Sequence, residues 1–177
     1  MKQLHCAFLI CLMTLAGVSY SDEVSQQRAV YQQALLAIQK NDQSQYLAQR
    51  QQLKNYPLLP YLEYEYINLQ LDQYPVAAVR EFLHSYPDTF IARRLYVRWL
   101  DHLGANQQWD LFDQFYQADQ ATDAHQCYQM ERRLTQTAKS DAILTQFSAF
   151  WLKPYSLPRT CDRVLSQWQE AGFLSND

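Results

Sequence analysis

Apolar residues recur along most of the chain at three- and four-residue steps, with no long apolar/polar alternation bounded by turn residues. That period predicts helices throughout. Tyr31, Leu35 and Ile38 mark a first stripe, which Asn41-Asp42 interrupts. A glutamine-rich helix is expected from about Gln43 to Lys54, ending before Tyr56-Pro57 because proline disfavours helix at the residue before it. Pro60 suits the first turn of a helix reaching about Leu71, where its missing N–H removes no hydrogen bond, and Pro75 opens another to about His84. Tyr86-Pro87-Asp88 ends that helix. Ile91, Leu95, Trp99 and Leu103 form the next stripe, with Gly104 where a C-terminal cap favours glycine. Trp109, Phe112 and Tyr116 mark a sixth helix. Further stripes lie at Tyr128–Leu134, Ile143–Trp151 and Val164–Trp168, the last set off by Pro154 and Pro158. Short helices joined by short breaks suit stacked pairs better than the long helices of a bundle. The expected fold is all-α, an irregular α-solenoid of about nine short antiparallel helices with no strict repeat period. Its last apolar face, formed by Leu165, Trp168 and Phe173, is expected to lack a covering repeat.

Residues 1–21 follow a different pattern. Met1-Lys2 is positive, Ala7 to Gly17 is apolar except for Thr14, and Ser19-Tyr20-Ser21 places small residues two apart before Asp22-Glu23. This is the layout of a cleaved signal peptide, and the apolar run is about half of the roughly 20 residues needed to cross a bilayer. Leu15-Ala16-Gly17 is followed by Val18 and not by the cysteine that lipidation requires. The expectation is an exported, periplasmic chain starting at residue 22, with no membrane anchor.

Composition narrows the chemistry. The 177 residues suffice for one domain core, and 15 Lys+Arg against 18 Asp+Glu leave a net charge of −3, without the basic field that binds nucleic acid. The three glycines, Gly17, Gly104 and Gly172, are isolated, so no phosphate-cradling loop is present and no cofactor is expected. Of four cysteines, Cys6 and Cys11 fall in the signal. Export makes a disulfide the default for the remaining pair, Cys127 and Cys161. A zinc site from His125, Cys127, Cys161 and Asp162 lacks the usual close ligand pairs, so no metal is expected.

Other candidate groups have structural explanations. Glu63 and Glu65, two apart on a helix, point to nearly opposite faces and cannot flank one bond, which suggests solvated surface. Tyr56, Tyr61, Tyr64 and Tyr66 have the spacing of helix–helix contacts, with sugar stacking as the alternative. Arg93, Arg94 and Arg98 read as a solvated or ion-paired face. His84, His102 and His125 have no nucleophile motif beside them.

Asn55-Tyr56-Pro57-Leu58-Leu59-Pro60-Tyr61-Leu62-Glu63-Tyr64 closely resembles the YPLxPYLEY segment near the start of mature soluble lytic murein transglycosylases. Gln107-Gln108-Trp109-Asp110 resembles that family's W-centred helix start. Gln126-Cys127-Tyr128 and the segment from Thr160-Cys161-Asp162 to Trp168 resemble its Q-C-x-Y and A-C-D-x-L-x-x-W pair. The resemblance covers essentially residues 22–174. It implies a disulfide between Cys127 and Cys161, and a place in the first part of a long superhelix, ahead of a lysozyme-like domain that cuts murein to 1,6-anhydro products. The family's catalytic glutamate stands immediately before a serine. The six glutamates here are followed by Val24, Tyr64, Tyr66, Phe82, Arg132 and Ala171. No catalytic residue carries over, and residues 22–177 are expected to be the N-terminal part of the superhelical domain, truncated before the catalytic domain and non-catalytic alone. The expected partner is peptidoglycan glycan, held through the complete family protein. The alternative is a free-standing helical-repeat module that binds a protein partner.

Overall fold

The computed structural model describes residues 22–137 and 140–173; the expected signal peptide, residues 1–21, lies outside them. Among the described residues the fold is all-α, with nine α-helices, one short 3₁₀ turn and no strand. It divides into two compact units at Gln70 and Leu71.

The first unit holds α1 over residues 22–39, α2 (Gln43–Gln52) and α3 (Leu59–Leu69). Helix α1 buries Ala34, Ala37 and Ile38. Asn41 then turns the chain at φ 56°, a left-handed conformation that asparagine tolerates. The Asp42 carboxylate caps α2 by accepting from the Gln45 N–H at 3.0 Å. In α3, Pro60 stands in the first turn, where it displaces no intrahelical bond. The Tyr46 and Tyr66 rings stack at 3.9 Å between centroids and join α2 to α3.

The second unit runs through α4 (Val76–Ser85), α5 (Phe90–Ala105), α6 (Trp109–Phe115), α7 (Asp123–Gln136), α8 (Asp141–Trp151), the 3₁₀ turn Arg159–Cys161 and α9 (Asp162–Glu170). Pro75 starts α4, and the Thr89 hydroxyl caps α5 by accepting from the Ala92 N–H at 3.2 Å. The helices touch their immediate and next neighbours in chain order: α5 packs on α4, α6 and α7, while α7 packs on α8 and α9. This is the contact pattern of a solenoid. The stripe Ile91, Leu95, Trp99 and Leu103 is buried as its spacing predicts.

Gly104 differs from its expected role. It lies inside the last turn of α5, and the cap is Asn106, followed by Gln107 at φ 53°. A Cβ at Gly104 would stand 2.5 Å from Tyr128 Cγ, so the glycine admits a ring from α7. The face of α9 expected to lie open is covered only in part: Phe173 remains 38% exposed and Leu165 is half-buried. Trp168 is buried by Phe147, Trp151 and Phe173 of its own chain, and its Nε1–H donates to Ser148 Oγ at 2.8 Å.

Candidate functional site

The segments that carry the Q-C-x-Y and C-D-x-L-x-x-W resemblances meet at one corner of the second unit. A disulfide joins Cys127 of α7 to Cys161 at the head of α9, with Cα atoms 5.0 Å apart. Both cysteines belong to the core with Met130, Phe147 and Val164. On the outer side of the bond, Glu131 is buried and accepts from Arg163 Nη1 at 2.6 Å, a second tie between α7 and α9. The exposed guanidinium of Arg163 is held above its ordinary pKa by the Glu131 hydrogen bond and charge. Burial raises the Tyr128 hydroxyl above its usual range, reinforced by the charges of Asp101 and Glu131.

His125 is fully buried at the start of α7. Its Nδ1 accepts from the Thr122 N–H at 3.3 Å, and the Thr122 hydroxyl accepts from the His125 N–H at 3.3 Å, so the pair closes the helix as a capping box. An accepting Nδ1 places the ring proton on Nε2, which faces the Val97 carbonyl at 3.3 Å and Asp101 at 3.2 Å. With the imidazole in the cap and both sulfurs bonded to each other, the four residues weighed as zinc ligands do not assemble. No group of three potential metal ligands occurs among the described residues.

The remaining candidates are dispersed. Glu63 is buried and accepts from Arg50 Nε at 2.7 Å, contrary to the solvated position expected for it; Glu65 is exposed. Tyr64 and Tyr66 are buried, Tyr56 is half-buried and in ring contact with Tyr31 at 5.5 Å, and Tyr61 is exposed. Arg93, Arg94 and Arg98 lie on the exposed side of α5, with the Arg93 guanidinium 5.5 Å from the Tyr96 ring centre. His84 is exposed, while His102 stacks on Trp99 at 5.6 Å. Glu23, Glu81 and Glu170 are exposed on helices.

One aromatic surface escaped the sequence reading. Between α8 and α9 a groove of about 640 Å³ is lined by Phe147, Trp151, Lys153, Tyr155, Leu157 and Leu165. Trp151 is 39% and Tyr155 56% exposed, so both present ring surface to solvent. Lys153 Nζ lies 3.7 Å from the Phe150 ring centre and donates to Asp123 Oδ1 at 2.5 Å. Burial works against its ammonium, but the bond to Asp123 and that carboxylate's charge outweigh it and raise the pKa. Trp151 closes a stripe otherwise devoted to the core, so the pattern alone marks it as buried. No helix among the described residues is long and apolar enough to cross a membrane.

No family model matches the chain. Over 163 residues, 92% of its length, it is 29% identical to the soluble lytic murein transglycosylases of Escherichia coli K12 and of Salmonella typhimurium, and it spans 25% of the length of these relatives. Among solved structures, the 70 kDa soluble lytic transglycosylase of Escherichia coli superposes with a TM-score of 0.72 at 27% identity, covering 85% of this chain and 24% of that one. The 70 kDa enzyme in complex with bulgecin A gives a TM-score of 0.71 over the same shares at 27% identity. An inactive mutant of the lytic transglycosylase Slt of Pseudomonas aeruginosa gives 0.67 at 30% identity, covering 82% of this chain and 24% of that one. In sequence and in fold, the chain is similar to the N-terminal region of the soluble lytic murein transglycosylases.

Proposed function

We propose that this chain is an exported superhelical segment of the soluble lytic murein transglycosylase type, which helps hold peptidoglycan glycan strands and does not itself cut them. The observation that carries this reading is the similarity, along 92% of the chain, to enzymes named for acting on murein. Glycosidic cleavage needs a carboxylic acid set in a cleft against the leaving oxygen. Glu63 and Glu131 are each engaged by an arginine, the other four glutamates are exposed on helix surfaces, and none precedes a serine. These residues therefore supply scaffold and contact, with Trp151 and Tyr155 offering ring faces to sugars. A periplasmic location after removal of residues 1–21 agrees with the Cys127–Cys161 bond, since disulfides persist in oxidising compartments.

The test is incubation of the purified chain with sacculi, followed by chromatography of the soluble fraction, with a full-length family enzyme as positive control. The expected result is no 1,6-anhydromuropeptide above blank. Release that is abolished by a single Glu→Gln change would overturn the non-catalytic assignment. The second reading, a protein-binding repeat module, is favoured by Leu152, which is 81% exposed beside Trp151 and Tyr155.

A further inference from the structure

We propose that the groove between the first turns of α5 and the loop after α6 is a saccharide subsite for a neutral strand of N-acetylated amino sugars. The groove encloses about 480 Å³, within the roughly 300–1,000 Å³ of small-ligand sites. Ala92 and Tyr96 of α5, both buried, contribute its apolar floor. Phe90 and Asp88 line it from the start of α5 and the turn before it, and Gln117 and Gln120 from the loop after α6. Both borders are fixed by bonds within the chain. The Thr89 hydroxyl donates to the Tyr86 carbonyl at 2.7 Å and accepts from the Ala92 N–H at 3.2 Å. Between them Asp88 turns the chain at φ 60°, a left-handed conformation that aspartate tolerates. On the other border, the buried Tyr96 hydroxyl accepts from the Gln117 N–H at 3.1 Å and holds the loop to α5.

The accessible side chains define the ligand. Phe90 is 71% exposed in the first turn of α5, so its ring face is open to the apolar face of a pyranose. One turn on, the exposed Arg93 guanidinium rests near the Tyr96 ring and, like the exposed Asp88 carboxylate, makes no hydrogen bond or ion pair among the described residues. Gln120 Nε2 donates to Gln117 Oε1 at 2.5 Å, which leaves the Gln117 amide N–H groups and the Gln120 amide oxygen for a ligand. Donors and acceptors thus alternate around the groove, as a chain of hydroxyls requires, since each hydroxyl both donates and accepts. One cationic and one anionic side chain give no preference for a charged ligand. A peptide fits less well, because no strand edge is present among the described residues and the polar borders interrupt the apolar trough that a helix needs. The apolar floor suits an acetamido methyl, and the glutamine pair suits its amide. The Trp151 groove lacks this polar complement, as its Lys153 is already held by Asp123. Murein as the source of the sugar rests on the proposed function; the saccharide class rests on the groove itself.

The experiment is an amide NMR titration of the disulfide-bonded protein with chitotetraose and with cellotetraose, which has the same linkage and no acetamido groups. Chitotetraose should perturb amides within residues 88–96 and 117–120 with millimolar affinity, and cellotetraose should bind severalfold more weakly. Phe90→Ala, which alters an exposed side chain, should weaken chitotetraose binding about tenfold while the rest of the spectrum stays in place. Gln120→Ala should weaken it severalfold. Perturbations confined to residues 147–165, binding unchanged by Phe90→Ala, or no response to chitotetraose would each overturn the site. Equal affinity for cellotetraose would overturn the amino-sugar assignment. If chitotetraose binds here but the protein does not sediment with sacculi, the site stands and the proposed function falls. If the protein sediments but neither oligosaccharide binds, only the site falls.

Discussion

At Gly104 two effects of opposite sign compete. An alanine inside a helix is worth roughly 1 kcal/mol more than a glycine, yet here its methyl would stand 2.5 Å from Tyr128 Cγ. Forcing atoms into a filled site costs about 1–3 kcal/mol, so the clash is expected to win. Gly104→Ala should therefore lower the unfolding free energy in urea by about 1–2 kcal/mol. In a Tyr128→Ala background, where the ring is gone, the same change should become stabilising. An equal effect in both backgrounds would show that the contact is not the cause. The sequence reading placed this glycine at the right end of the helix with the wrong role, because periodicity cannot display a ring arriving from another helix. Glu63 and Glu131 were opaque for the same reason. Their partners Arg50 and Arg163 lie 13 and 32 positions away, so nothing in local spacing marks the two acids as buried.

At the scale of elements, proline did most to make the fold legible. Pro60 and Pro75 start helices as their fixed φ requires, and α2 and α3 end within two residues of their expected ends. The start of α7 was less visible, since its first buried residue is His125 and an apolar stripe does not register a polar side chain used as a cap. The Cys127–Cys161 bond closes a loop of sequence separation 34, and in the chain-entropy model it stabilises by about 3–4 kcal/mol. That is a large share of the roughly 5–15 kcal/mol typical of a domain. The urea midpoint of the native protein should fall markedly on reduction, and the Cys127→Ser/Cys161→Ser double variant should match the reduced protein. A midpoint unmoved by reductant, or two free thiols in periplasmically expressed protein, would contradict this account of the corner.

At the scale of the whole molecule, the chain carries a net charge of −3, so it gains no long-range attraction to a polymer that is itself rich in carboxylates. The retention on murein that we propose would therefore have to come from local contacts, for which the exposed rings of Trp151 and Tyr155 are the surface suited to sugars. The most direct test of the scaffold role is sedimentation of the purified, disulfide-bonded protein with purified sacculi. The account predicts that the protein pellets with sacculi in a saturable way, and that Tyr155→Ala, an exposed change with little effect on folding, reduces the pelleted fraction severalfold. Protein that stays in the supernatant at every sacculus concentration, while a full-length family enzyme pellets beside it, would contradict the scaffold role.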